Sequence, residues 1–418
     1  MLQAIVATGA IPTAIGHLLN EICHFPPACQ QFDRHKDTAH NITLKKTAKK
    51  MKILLIGEYS NLHWSLSEGL REAGHEVCVL SNGDFWKNYK RDISLVRKEG
   101  TPLAGVRYLL EAIALLPKMR GYDVVQLINP MFLELKAERI APFYRYLRRH
   151  NKKVFLGAFG MDALWVKAGT DRKKFRYSDF NIGDRLIDNN STRELIAAWS
   201  GGTAKERLNY AIADDCDGII AGMYEYHTAY RQQYKEKLAY IPMPINIGSV
   251  ERTECAEHDK IRFFIGVQKS RNQYKGTDIM LSALMRIKEK YPDRCEVLKA
   301  ENIPFEEYSR MMESCDVLLD QLYGYSPGMN ALLALTKGKI VVGGAEEECY
   351  DILGEKELRP MVNVTPDEQD VYNKLEQLVL LPPERIKQMK EESLQFVKKH
   401  HDHQRVAKQY IDFWNSKG

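Results

Sequence analysis

Apolar positions along this chain come in short closed runs separated by periodic stretches. Residues 52–56, KILLI, hold no polar position after Lys52 and end at Gly57. A strand buried on both faces of a parallel sheet reads this way. Helical spacing over 64–73 stops at Gly74, a C-cap signal, and 76–80 is the next strand. The pattern then predicts helices over 103–116, 139–149, 203–213 and 224–234, with strands over 123–127, 153–156 and 217–221. At Ile241-Pro242-Met243-Pro244-Ile245 two prolines stop a strand and stiffen a linker. After a polar stretch the alternation restarts, with strands over 260–265, 295–299, 316–319 and 339–342 and helices over 276–290, 305–314 and 328–337. From Pro383 to Trp414 the chain is almost wholly helical.

This alternation predicts an α/β chain with two Rossmann-like domains, whose parallel sheets face an interdomain cleft. The expected division is 51–241 for the first domain, 242–258 for a linker and 259–400 for the second. Residues 401–418 are expected to form a helix packing back on the first. The halves share a design, since each opens strand, glycine, polar loop, helix. An aspartate also leads a buried strand at Asp123, Asp217 and Asp316. Ligands bind such sheets outside the carboxyl ends of the strands.

Residues 1–50 differ from the rest. They lack clear periodicity, carry Pro26-Pro27 and end in a basic run at Lys45, Lys46, Lys49 and Lys50. The expectation is a disordered leader or a start set upstream of the true one. With six basic and three acidic residues, the segment holds more than half of the net charge of +5. So small an excess over 418 residues argues against a nucleic-acid partner. No apolar run approaches the roughly 20 residues of a membrane-spanning helix. None of the eight cysteines forms a C-x-x-C pair, which speaks against a zinc or redox motif and for a reduced, cytoplasmic protein.

Two segments of the second half suit an anion. In GVQKSRNQYKGTD, a strand ends in a loop with Lys269, Arg271 and Lys275, and a helix begins near Gly276. In YGYSPGMNALLALTKGKIVV, Ser326, Pro327 and Gly328 turn into a helix. The amides of Gly328, Met329 and Asn330 are expected to be free there. In the first half, Gly57, Glu58 and Asn61 form the loop after the first strand, followed by His63. Asp162 follows Gly160 at a strand's carboxyl end, as a cleft carboxylate or a helix N-cap. Asp215-Cys216-Asp217 spells a metal-binding D-x-D, but on the wrong edge of the sheet. The aromatic and basic run 143–153 offers either a face for anionic lipid or a solvated helix face. His400, His401 and His403 read as a surface turn rather than a metal tract.

From residue 51 onward the chain resembles the nucleotide-sugar-dependent retaining glycosyltransferases of the GT-B fold, known as glycosyl transferases group 1. The resemblance covers about seven-eighths of the chain and rests on GEYS, IPMPIN, KGTDIM and GMNALLALTKGKIVV. The last aligns without gaps on E-G-F-G-x-x-A-L-E-A-M-A-x-G-K-P-V, with Gly328, Ala331, Leu332, Ala334, Gly338 and Lys339 matching. The family's two glutamates fall on Tyr325 and Leu333. The second binds the nucleotide ribose in the family, and Leu333 cannot accept a hydroxyl. Glu346, Glu347, Glu348, Asp320 and Gln321 are candidates for the missing contact.

The resemblance implies transfer of a sugar from a UDP- or GDP-linked donor, needing no metal or other cofactor, to a glycan or lipid-linked acceptor in surface polysaccharide synthesis. It implies donor contacts at Arg271, Lys275, Gly276, Ser326, Gly328, Met329, Asn330, Asp320 and Glu347, with Asp162 and His63 as catalytic candidates. Peripheral contact at the inner membrane face would fit a lipid-linked acceptor. A sugar-nucleotide epimerase and a non-catalytic scaffold are the alternatives.

Overall fold

The computed structural model describes residues 50–98, 100, 103–250, 259–267, 275–301 and 303–417. The expectations for the leader up to residue 49, for Lys269 and Arg271, and for the linker residues 251–258 lie outside the described residues.

The first lobe contains β1 (Lys52–Ile56), α1 (Leu62–Glu72), β2 (Glu76–Ser81), β3 (Ile93–Ser94), α2 (Ala104–Ala114), β4 (Val124–Leu127), α3 (Ala137–His150), β5 (Lys153–Ala158) and α4 (Ala163–Thr170). It continues with a short hairpin, β6 (Asn181–Ile182) and β7 (Arg185–Leu186), then α5 (Asn190–Trp199), α6 (Ala204–Asp215), β8 (Gly218–Ala221), α7 (Tyr224–Tyr234) and β9 (Leu238–Tyr240). Seven parallel strands run in the order β3-β2-β1-β4-β5-β8-β9.

The second lobe contains β10 (Ile261–Val267), α8 (Thr277–Lys290), β11 (Cys295–Glu301), α9 (Phe305–Ser314), β12 (Val317–Leu319), α10 (Met329–Thr336), β13 (Ile340–Gly343), α11 (Glu347–Leu353), β14 (Val362–Asn363), α12 (Glu368–Leu380) and α13 (Pro383–His400). Its five strands are also parallel, in the order β11-β10-β12-β13-β14. Two parallel sheets, each covered by helices, make the chain an α/β protein of two Rossmann-like lobes. The last helix, α14 (His403–Ser416), lies on the first lobe, where Phe413 and Trp414 meet Phe155 at 5.8 and 6.1 Å between ring centroids.

The strand-leading aspartates share one job. Asp123, Asp217 and Asp316 accept the backbone N–H of Lys52, Val154 and Arg262, at 2.8, 2.6 and 2.8 Å. Each therefore satisfies an amide at the entrance of the neighbouring strand, where the ladder has not begun.

Several expectations are corrected here. β10 runs on to Val267, past the expected stop at Ile265. Gly266 pairs with Ala300 in the ladder, and its missing side chain leaves room for the Tyr308 ring, which a Cβ would meet at 2.7 Å. The histidine tract is buried, not a surface turn. His400 pairs with Glu355, His401 Nδ1 bonds the Met243 carbonyl at 2.9 Å, and His403 bonds Glu72 at 3.2 Å. In the 143–153 run, Phe143, Tyr144 and Leu147 are buried, and Arg148 pairs with both Asp215 and Asp217. Those contacts also occupy the D-x-D. Among the described residues no cluster of three metal-ligating side chains occurs, and no helix is long and apolar enough to cross a membrane.

Candidate functional site

The N-terminal turn of α10 opens at the carboxyl ends of β12 and β13. Gly328 is its N-cap in extended geometry, and no side chain caps the helix. The N–H groups of a helix start point outward and carry the positive end of its dipole. Asn330 leans on Asp320 through Nδ2, 2.9 Å from Oδ1, which steadies the first turn. Lys275 reaches the same region, and among the described residues its ammonium has no ion-pair partner. Gly276 follows with φ +67°, and a Cβ there would meet Leu322 Cβ at 2.7 Å. The Lys-Gly pair thus turns the chain sharply and leaves the lysine at the opening.

A small pocket, with a volume of about 70 Å³, lies between the lobes beside Lys275. The first lobe contributes Trp165, Asp179, Glu225 and Tyr226, and the second contributes Gln321 and Tyr323. Glu225 Oε1 crosses the lobe boundary to accept the backbone N–H groups of Tyr325 and Ser326, the latter at 3.0 Å. Ser326 Oγ in turn accepts the N–H of Tyr224 at 3.0 Å. Burial pushes the Glu225 carboxyl above its ordinary pKa.

The two positions that hold glutamates in the resembled family do something else here. Tyr325 joins a ring cluster, 5.0 Å from Tyr177 and 5.6 Å from both Tyr224 and Phe175. Its hydroxyl accepts the Arg176 N–H at 2.7 Å. Leu333 packs against the hydrophobic core. The acidic tract does not fill the gap left at the ribose position. Arg176 pairs with Glu346 and Glu348, and Arg359 pairs with Glu347. Glu346 also accepts the Tyr177 hydroxyl. These pairs explain why Glu347, chosen from sequence, points away while Glu346 faces the other lobe.

Three first-lobe candidates turn out to be internal. Asp162 is fully buried as the N-cap of α4, bonding Trp165 N and the Tyr230 hydroxyl, both at 2.8 Å. Burial raises its pKa to about 6. His63 is fully buried, with Nδ1 2.8 Å from the Gly57 carbonyl, and burial lowers its pKa to about 4. Glu58 accepts the N–H groups of His63 and Trp64 at 3.2 and 2.9 Å, and burial lifts it to about 7. A carboxylate thus fills the first turn of α1. Gly57, at φ +89°, lies against Ile128 with no room for a Cβ, and Asn61 precedes the helix in a left-handed conformation. As placed here, Asp162 and His63 cannot touch a substrate. Of the second-lobe candidates, Lys275 and Gln321 line the pocket, Gly328 lies beside Asp320 and Gln321, and Asn330 bonds Asp320. Asp179, Arg176, Glu225 and Tyr226 escaped the sequence reading; an aromatic-rich FRYSDF and the YEY at a helix start were the available signals.

No family model and no curated protein matches the sequence. Solved structures do. Sucrose-phosphate synthase from Thermosynechococcus elongatus superposes with a TM-score of 0.58 at 12% identity, over 87% of this chain and 98% of that one. Anabaena HepE in complex with UDP-glucose gives 0.53 at 13% identity, over 88% and 100%. S. aureus MnaA with UDP gives 0.51 at 13%, over 86% and 95%. At such identity the likeness is one of fold, and the chain has the GT-B fold of two Rossmann-like lobes.

Proposed function

We propose that this protein transfers a sugar from a nucleotide diphosphate sugar, UDP- or GDP-linked, to a glycan or lipid-linked acceptor in surface polysaccharide synthesis. The observation that carries the reading is the uncapped start of α10, whose Gly328 lies beside Gln321, together with Lys275, which lines the interlobe pocket with Gln321. As the glycosidic bond breaks, negative charge grows on the leaving diphosphate. The amides of Gly328, Met329 and Asn330, with Lys275 and Arg271, would neutralise it without metal. Similar structures that hold UDP and UDP-glucose support the choice of donor. Retention of configuration follows from the resemblance alone. A cytoplasmic site, with peripheral contact at the inner membrane face, belongs to the same proposal.

A second reading, a GT-B chain kept as a non-catalytic scaffold, is favoured by one observation. Both glutamate positions have gone, and the neighbouring acids are tied up in ion pairs. Calorimetric titration with UDP, GDP and ADP, followed by product analysis with the matching sugar nucleotides, tests the transferase. Binding without turnover or hydrolysis would sink it in favour of the scaffold.

A further inference from the structure

Exposed apolar side chains gather in one stretch of the first lobe. Ten large hydrophobic residues stand exposed among the described residues, and six of them are Phe85, Trp86, Val96, Leu103, Val106 and Leu110. α2 is apolar on both sides. Tyr108, Leu109, Ala112 and Ile113 are buried, whereas Leu103, Val106 and Leu110 recur at the spacing of one outer face. Val96 and Lys98 lie against the same helix, in a hollow shared with Ala104 and Arg107.

Leu103 is the most telling of these residues. It is the N-cap of α2 at φ +62°, and it is 67% exposed. A bulky side chain is disfavoured in that left-handed conformation, and asparagine or serine caps a helix better. Phe85 repeats the pattern at φ +58° and 60% exposure. Neither stability nor solubility gains from these side chains, so the demand for them comes from a contact outside the fold. Charge says which contact. Residues 84–120 hold eight basic and four acidic residues, a net +4, while the rest of the chain from residue 51 on is net −2. Three of the acids are already paired, Asp84 with Lys87, Asp92 with Arg71 and Glu111 with Arg107. Lys90, Arg97, Lys98 and Lys118 stand exposed in the same stretch. A second copy of this surface would be repelled, and so would the net-positive leader, whereas an anionic lipid surface is attracted.

We propose that the outer face of α2, with Val96 and the loop carrying Phe85 and Trp86, docks on an anionic lipid bilayer. The apolar side chains enter the headgroup boundary and the basic ones meet lipid phosphates. The proposal deepens the peripheral contact of the transferase reading, from which it takes the lipid-linked acceptor. The Phe85 loop leaves the carboxyl end of β2, and Trp165 and Glu225 of the pocket follow the carboxyl ends of β5 and β8. Docking surface and pocket thus lie on one edge of one sheet.

The test sediments the full chain with vesicles. Partitioning into phosphatidylcholine with about one third phosphatidylglycerol should exceed that into phosphatidylcholine alone by about tenfold or more. The preference should fade between roughly 0.1 and 1 M salt, as the Debye length falls from about 10 to about 3 Å. Val106→Gln combined with Leu110→Gln should lower partitioning by about tenfold or more and leave the melting temperature nearly unchanged. Leu103→Asn should lower it by about tenfold and keep or raise the melting temperature, because asparagine accepts the left-handed cap. Arg97→Gln and Lys118→Gln should each cost about fivefold on anionic vesicles only. Partitioning unchanged in the α2 variants overturns this surface and leaves a peripheral contact elsewhere. No partitioning of the parent overturns both, while the donor reading is still decided by UDP and GDP calorimetry. Equal partitioning into both lipids overturns the anionic assignment. A dimer in sedimentation velocity that Val106→Gln with Leu110→Gln dissolves makes the face a self-interface, and the proposal falls.

Discussion

The Tyr325 hydroxyl accepts the backbone N–H of Arg176 at 2.7 Å, so a side chain of the second lobe holds the main chain of the first. The Arg176 guanidinium lies 5.0 Å from the centre of the same ring. With Phe175, Tyr177 and Tyr224 around it, Tyr325 is a joint between lobes. Tyr325→Phe should keep the ring packing and lose one hydrogen bond, at about 1 kcal/mol. Tyr325→Ala should cost about 3–5 kcal/mol, as for other buried aromatic deletions. Urea unfolding of both variants checks this. Equal losses would mean that the ring cluster contributes nothing beyond the hydroxyl.

Lys275 makes a different kind of contribution. It has no ion-pair partner among the described residues and sits at a pocket rim, so Lys275→Ala should leave the melting temperature nearly unchanged. Its loss should weaken UDP or GDP binding by about ten- to a hundredfold, the worth of a charge-assisted contact. A nucleoside without phosphates should bind parent and variant alike. Unaltered diphosphate affinity would remove Lys275 from the donor site.

The layered alternation of strands and helices was readable because each buried strand is a closed apolar run with a punctuating glycine or aspartate. The Lys275-Gly276 turn and the Gly328 helix start were readable for the same reason, since local geometry there needs those residues. Glu225 was not readable. Its role depends on Tyr325 and Ser326, a hundred positions away and in the other lobe. Asp162 and His63 show the converse. Their positions at strand ends suggested a cleft, but burial decides, and nothing in a single sequence tells an N-cap from a catalytic carboxylate. The histidine tract misled because it lies between two helices and lacks a fourth ligand at suitable spacing, which suggested a surface turn, whereas its carbonyl and carboxylate partners at Met243, Glu355 and Glu72 lie far away in sequence.

Gly69 gives a prediction against helix propensity. It sits inside α1, where alanine is ordinarily better by about 1 kcal/mol. Here an added Cβ would lie 2.3 Å from the carbonyl oxygen of His403, at the start of α14. Backbone cannot swing aside as a flexible side chain can, so α14 must lift from α1. Gly69→Ala should therefore destabilise the chain by about 1–3 kcal/mol, the range for overpacking. A variant as stable as the parent by denaturant unfolding would show that α14 does not seat closely on α1 in solution.

The last prediction concerns His401, where the chain crosses back between α13 and α14. The ring is buried, bonds the Met243 carbonyl through Nδ1, and leaves Nε2 without a partner. Burial lowers its pKa to about 4 from an ordinary 6.5. Below pH 6.5 the unfolded chain takes up a proton that the native chain refuses, so this group's contribution to stability falls as pH drops towards 4. His63 acts in the same direction. Glu58 and Asp162 act in the opposite one, because their raised values let the native state keep protons that the unfolded state releases. The parent's own pH profile mixes these opposed effects, and a substitution isolates one of them. His401→Gln can still donate to Met243 but does not titrate. Parent and variant should differ most at pH 7.5, and the gap should shrink by about 2 kcal/mol at pH 5, at roughly 1.4 kcal/mol per pH unit below 6.5. Urea unfolding at the two pH values measures it. A gap that stays constant would mean that His401 titrates normally and is not enclosed at the crossover.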